Sequence, residues 1–168
     1  MALNDITTNE GVSEMAVAVA VSEGLPDSMG LFLGNSMPIR DVDAFAGLKH
    51  FMNGNEHTLV HSSATSHGVP VTANRGASGI DGVISSAAGY AAGLGHPVTL
   101  IIGDVSFQHD ANGLLFLRER PGQPPVTVVV VNNGGGGIFS FLPVAGQVDD
   151  AAFNRLFATP PDVSLRGL

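Results

Sequence analysis

The stretch that decides the fold is Pro97–Leu142, PVTLIIGDVSFQHDANGLLFLRERPGQPPVTVVVVNNGGGGIFSFL. It reads as strand, helix, strand. Pro97–Ile102 is a short β-branched run of the kind that fills a parallel strand buried on both faces, and it stops at Gly103-Asp104. After a helical segment and a Pro/Gly loop, Val126–Val131 is a second unbroken β-run, which stops at Asn132-Asn133 and four glycines. Neighbouring parallel strands lie about 4.8 Å apart, so Asp104 and Asn133 can reach one ion from the carboxyl edge of the sheet, where open α/β folds bind ligands. A carboxylate, an amide oxygen and a carbonyl freed by a glycine turn form a hard-oxygen set that suits Mg²⁺, an ion that takes its other ligands from phosphate or water. The glycines let backbone approach a ligand closely. A plain strand-end Asp and an Asn-Gly turn would account for either cluster alone; the pair on consecutive strands points to a metal-diphosphate site.

The rest of the chain is consistent with one α/β domain. Its 168 residues are enough for a sizeable core, and 44% hydrophobic against 13% charged residues excludes a disordered chain. A net charge of -8 without a basic patch argues against nucleic acid. The longest apolar runs, about seven residues, fall short of the roughly twenty that span a membrane. The chain contains no cysteine, which removes disulfide and thiolate chemistry. Neither G-x-x-x-x-G-K-[ST] nor G-x-G-x-x-G occurs, which disfavours a nucleotide-binding module. The opening MALNDITTNEGVSE has acids and no Arg or Lys, and reads as neither a signal nor a transit peptide.

In order, Glu10–Glu23 reads as a packing helix with Val12, Met15, Ala16 and Val19 at helical spacing, closed by Gly24 and Pro26. Gly30–Leu33 reads as a buried strand, and Pro38 as the first turn of a helix. Arg40 lies in that turn, either facing the metal edge or paired with Asp41 or Asp43. Gly47–Ser66 reads as loop, with His50, His57, His61 and His67 taken as surface residues. Val69–Ala73 reads as a strand that turns at Asn74-Arg75-Gly76 into a small-residue helix, Ile80–Leu94, able to pack on the sheet or on a partner subunit. Asp110 and Asn112 are candidate caps of a helix Ala111–Arg120, and Arg118 and Arg120 then sit where cations offset its dipole. Val148–Phe157 reads as a helix with Ala152, Phe153, Leu156 and Phe157 on one side.

Gly103-Asp104 followed by Asn132-Asn133 resembles the metal motif of thiamine-diphosphate enzymes. Where most members have Gly after the Asp, this chain has Val105-Ser106, which narrows the resemblance to the 2-succinyl-5-enolpyruvyl-6-hydroxy-3-cyclohexene-1-carboxylate synthase branch of menaquinone and phylloquinone synthesis. GNSMPIRD (Gly34–Asp41), NRGASGIDG (Asn74–Gly82) and GGIFSFLP (Gly136–Pro143) agree with that branch, in wording closest to the plant and algal versions. The resemblance implies an α/β domain with a mainly parallel sheet flanked by helices, the diphosphate-binding domain. It implies that Asp104, Asn133 and Gly135 hold Mg²⁺ or Mn²⁺, that Gly103, Val105 and Ser106 also touch thiamine diphosphate, and that Ile80 is the apolar prop for the folded cofactor. Substrate contacts fall by resemblance on Ser36, Arg40, Arg75, Ile138 and Phe139.

The reaction implied is decarboxylative addition of 2-oxoglutarate to isochorismate, in a homodimer or larger assembly. The location would be plastid stroma in a plant or alga and cytoplasm otherwise. The resemblance covers nearly all 168 residues but only the last of the family's three domains, so the chain is expected to be partial. The activating glutamate would belong to a missing domain, which leaves no catalytic residue in this chain. An acetolactate synthase-like enzyme, a 2-oxoacid decarboxylase and a non-catalytic remnant domain remain alternative readings.

Overall fold

The computed structural model describes residues 11–46, 69–162, 164 and 165. The histidine-bearing loop (His50, His57, His61, His67) lies outside the described residues. Four strands, β1 (Gly30–Leu33), β2 (Val71–Ala73), β3 (Val98–Gly103) and β4 (Val126–Val131), form one all-parallel sheet in the order β2-β1-β3-β4. Two core clusters cover its faces. Phe32, Leu100 and Ile102 point to one side, against Ile84, Ala87 and Ala91 of α3 (Val83–Leu94) and Phe107. Leu31, Leu33 and Ile101 point to the other, against Ala18 of α1 (Glu14–Gly24) and Val42 of α2 (Met37–Phe45). Strands apolar on both faces read as unbroken hydrophobic runs because successive side chains enter opposite cores. β1 and β3 are buried throughout except at the terminal Gly103, whereas β4 is only half-buried and exposes Thr127, as suits the outer strand of the sheet.

Several element boundaries differ from the sequence expectation for identifiable reasons. α1 starts at Glu14 because the Ser13 hydroxyl accepts the Ala16 N–H at 3.1 Å. Its buried face carries Ala18 and Ser22, while Val12 and Met15 are exposed. Small side chains won that face because they let α1 lie close to α2 and the sheet. α3 starts at Val83, so Ile80 lies in the preceding turn. The face of α3 on the sheet is Val83, Ile84, Ala87, Ala88 and Ala91, each 0% exposed.

The segment after β3 holds two short helices, α4 (Asp104–His109) and α5 (Gly113–Arg118), in place of one helix from Ala111 to Arg120. Neither expected cap operates there. Asp110 gives its carboxylate to the Ile84 N–H at 2.6 Å, capping α3 across the fold, and Asn112 makes no side-chain cap. Arg118 ends α5 as expected, but Arg120 lies beyond it and donates to the Ala88 carbonyl at 2.8 Å. After β4 come 3₁₀ turns at Gly137–Phe141 and Pro143–Gly146, then α6 (Asp150–Phe153) and a π turn at Asn154–Ala158. The expected helix Val148–Phe157 is therefore shorter and broken, and Leu156 faces solvent at 60% exposure.

Candidate functional site

The carboxyl ends of β3 and β4 meet as their register requires, with Gly103 opposite Val131. Asp104, only 1% exposed, begins α4 and turns its carboxylate onto the glycine turn. Oδ2 accepts the N–H of Gly134 at 2.9 Å and of Gly135 at 2.8 Å, and Oδ1 accepts its neighbour Val105 N–H at 2.8 Å. Three backbone donors therefore hold a buried negative charge, and among the described residues no cation pairs with it. A carboxylate has about four lone-pair positions, so one is left for a further partner.

The glycine turn is tight for reasons the sequence does not display. Gly134 and Gly135 take φ of 81° and 135°, a region that strains other residues. A Cβ on Gly135 would collide with the Ala158 carbonyl, and the Gly136 N–H donates to that carbonyl at 2.6 Å. The close approach seen at these glycines is thus to the chain's own residues 157–160. The Gly135 carbonyl accepts from the Gly137 N–H at 2.9 Å.

Asn133 is exposed, and its Nδ2 donates to Glu14 Oε1 at 2.8 Å. Glu14 opens α1, 119 positions earlier in the chain. It also adjoins Asp41 of α2, whose carboxyl is pushed above its ordinary 3.8 by burial first, then by the Glu14 charge and their hydrogen bond. Neither Glu14 nor Asp41 was legible as a site residue, since no local pattern connects α1 to a turn so distant in sequence.

The sign of the Asp41 effect is definite. A raised folded pKa means that the fold prefers the neutral acid, so its contribution to stability is present below 3.8 and is lost as pH rises through the folded value. Asp41→Asn mimics the neutral acid. The variant is expected to melt above the wild type at pH 7, with the gap closing as pH falls; thermal melts of both proteins from pH 4 to 8 measure it, and a gap that widens toward acid would refute the assignment.

Arg40 does not pair with Asp41 or Asp43; its Nη1 donates to the Ser36 carbonyl at 2.6 Å. Ser36 sits at φ 71°, ψ -130°, a sparsely populated conformation for a residue with a side chain. Such strain persists only where surroundings enforce it, and here it turns the Ser36 carbonyl to the guanidinium. Arg40 lines a hollow of about 270 Å³ with Met37, Ile138, Phe141 and Leu142. Phe139 instead packs edge-on against Phe157, with centroids 5.7 Å apart.

Arg75 lines a different, wider hollow of about 610 Å³, formed by the loop from Ala73 to Asp81. The two arginines therefore do not share one cavity. The loops they flank do touch, because Asn35 Nδ2 donates to the Gly79 carbonyl at 2.7 Å, leaving Asn35 Oδ1 buried and without a partner among the described residues. Ile80 is 38% exposed, and its carbonyl accepts from Ser106 Oγ at 3.4 Å, which ties the turn before α3 to α4.

No family model matches the chain. Curated proteins do. The chain is 48% identical over 154 residues to 2-succinyl-5-enolpyruvyl-6-hydroxy-3-cyclohexene-1-carboxylate synthase of Prosthecochloris aestuarii, covering 92% of the chain and 23% of that protein. The same-named protein of Chlorobium phaeobacteroides is 48% identical over 97% of the chain and 25% of its own length. Protein PHYLLO, chloroplastic, of Arabidopsis thaliana is 40% identical over 97% of the chain and 10% of its own length. The chain thus spans about a quarter or less of these relatives. Over nearly its whole length it is thus similar to one segment of proteins named 2-succinyl-5-enolpyruvyl-6-hydroxy-3-cyclohexene-1-carboxylate synthase.

Proposed function

We propose that this chain is the diphosphate- and metal-holding domain of a thiamine-diphosphate-dependent synthase that adds 2-oxoglutarate, with loss of CO₂, to isochorismate. The observation that carries the reading is the buried Asp104 carboxylate, fixed by the glycine turn and paired with no cation among the described residues. The donor set fits Mg²⁺ or Mn²⁺: one carboxylate with a lone-pair position left, the Asn133 amide oxygen and the Gly135 carbonyl. No three His, Cys, Asp or Glu side chains converge among the described residues. Such a sparse set suits a hard ion that completes its shell with phosphate oxygens and water.

Thiamine diphosphate, when bound, supplies the electron sink for decarboxylation; the protein supplies orientation and charge. Asp104 and the 133–135 turn would hold the metal and diphosphate at the sheet edge, with Gly103, Val105 and Ser106 beside them. Ile80 would stand under the reactive end. Arg40 and Arg75 would offset the substrate carboxylates, with Ser36 as a neutral donor and Ile138 and Phe139 as apolar walls.

The names of the relatives support the synthase reading, and the plant relative's name supports a plastid location where the source is a plant or alga. No described helix is long and apolar enough to cross a membrane. The complete protein is proposed to work as a dimer or larger assembly, with the activating glutamate outside this chain. Calorimetric titration of the chain with thiamine diphosphate, with and without Mg²⁺, tests the reading. Heat that requires both is expected; no binding under either condition would reduce Asp104 to a structural clamp of the turn.

A further inference from the structure

Asn133 is the weakest member of the donor set because an amide has two ends of nearly equal shape. Only Oδ1 can bind a hard cation, since the NH₂ end offers no lone pair. Something must therefore set which end faces Asp104. The structure contains a group able to do this. Glu14 Oε1 lies 2.8 Å from Asn133 Nδ2, and a carboxylate accepts hydrogen bonds without donating them. It can hold the NH₂ end and repels the oxygen end, leaving Oδ1 on the opposite edge of the amide.

The surroundings restrict the amide further. A Cβ at Gly137 would stand 2.6 Å from Nδ2, so the glycine allows the Asn133 side chain to lie flat against the turn. Glu14 is itself placed by the helix start that Ser13 caps, and is half-buried between α2 and the turn.

We propose that Glu14 is a positioning residue, whose carboxylate orients the Asn133 amide so that its oxygen is presented to a divalent cation at Asp104. The proposal rests on the metal-diphosphate reading above. Outer partners that orient metal ligands typically change metal affinity by 10–100-fold when removed. Glu14 would thus link the first turn of α1 to the metal edge with no contact to the ion.

The test uses the full 168-residue chain, with Mn²⁺ and thiamine diphosphate as probes and Mn²⁺ affinity read by electron paramagnetic resonance. Glu14→Ala is expected to weaken Mn²⁺ binding about tenfold. Glu14→Gln removes the charge and keeps an acceptor oxygen, and is expected to restore most of that affinity. In an Asn133→Asp background both ends of the side chain are oxygen, so Glu14→Ala should cost nothing there. An equal loss in both backgrounds would mean that Glu14 acts only as a distant negative charge, and would overturn the proposal.

A second readout needs no metal. In ¹⁵N-labelled protein the Asn133 side-chain NH₂ resonances are expected to lose their exchange protection in Glu14→Met and to retain it in Glu14→Gln. This pair decides the matter if Glu14→Ala does not fold, and resonances indifferent to both substitutions refute the positioning role by themselves. If wild type binds no Mn²⁺ with thiamine diphosphate, the metal reading fails together with the proposal; if it binds and Asp104→Ala abolishes binding while Glu14→Ala does not weaken it, only the proposal fails.

Discussion

Asp104→Ala is expected to abolish Mg²⁺-dependent binding of thiamine diphosphate, with no saturable heat in a calorimetric titration that detects it for the wild type. The substitution removes the only carboxylate of the donor set, and an amide and a carbonyl oxygen alone do not neutralise a divalent cation. The variant should also be less stable. From sequence, a strand-end carboxylate engaged with a metal would contribute little to packing, and its loss would leave the fold intact. The structure changes that expectation: Asp104 accepts from Val105, Gly134 and Gly135, of which the Gly135 N–H is buried, and a buried N–H left without a partner costs about 1–3 kcal/mol. A variant that melts lower and binds no cofactor matches both roles. Undiminished thiamine-diphosphate affinity in a folded Asp104→Ala protein would remove the metal assignment.

The second large effect concerns the two arginines. Both proposed substrates are dicarboxylates, and a chain of net charge -8 must offset them locally. A guanidinium grips a carboxylate through two parallel hydrogen bonds and stays charged when desolvated, whereas an ammonium lacks the fork. In the complete synthase Arg40→Lys and Arg75→Lys are each expected to lower kcat/KM for 2-oxoglutarate or isochorismate at least tenfold, or about 1.4 kcal/mol. Cofactor affinity should hardly change.

The structure separates the two cases. Arg40 is already braced by the Ser36 carbonyl beside the Ile138 hollow, while the Arg75 guanidinium makes no hydrogen bond among the described residues and lies at the other hollow. A different substrate dependence for the two variants would follow from this placement. Normal kinetics in both would reduce Arg40 to a first-turn residue of α2 and Arg75 to a loop residue, leaving an unspecified thiamine-diphosphate enzyme.

What was legible from sequence follows from how burial is distributed. β1 and β3 are covered on both faces, so their runs of Leu, Phe, Ile and Val appear without polar interruption, and their ends fall where Gly34 and Gly103-Asp104 break the pattern. The pairing of Asp104 with the 133–135 turn was legible for the same reason, since consecutive parallel strands place their carboxyl ends together. α1 was recognised as a helix but turned to the wrong face, because the apolar periodicity of Val12, Met15 and Val19 outweighs two small residues, Ala18 and Ser22, that close packing selects. Asp110 looked like a cap for its own helix, yet its acceptor is used by Ile84, 26 positions earlier. The cover that residues 157–160 form on the glycine turn, and the Glu14–Asn133 contact, have no local signature; they exist only once the chain is folded.

The all-parallel order β2-β1-β3-β4 also ranks the cost of assembling the sheet. In register, Val98 meets Val126 after 28 positions, Leu31 meets Val71 after 40, and Leu31 meets Thr99 after 68. The entropy lost on closing a flexible loop grows as (3/2)RT ln n. By that measure the β3–β4 closure is about 0.8 kcal/mol less costly than the β1–β3 closure. The shortest closure is also the one that brings Asp104 to the glycine turn. Once it is made, β3 offers its free edge to β1, and chain entropy alone places the Asp104 edge at the start of sheet assembly, ahead of the helix faces and arginine loops that surround it.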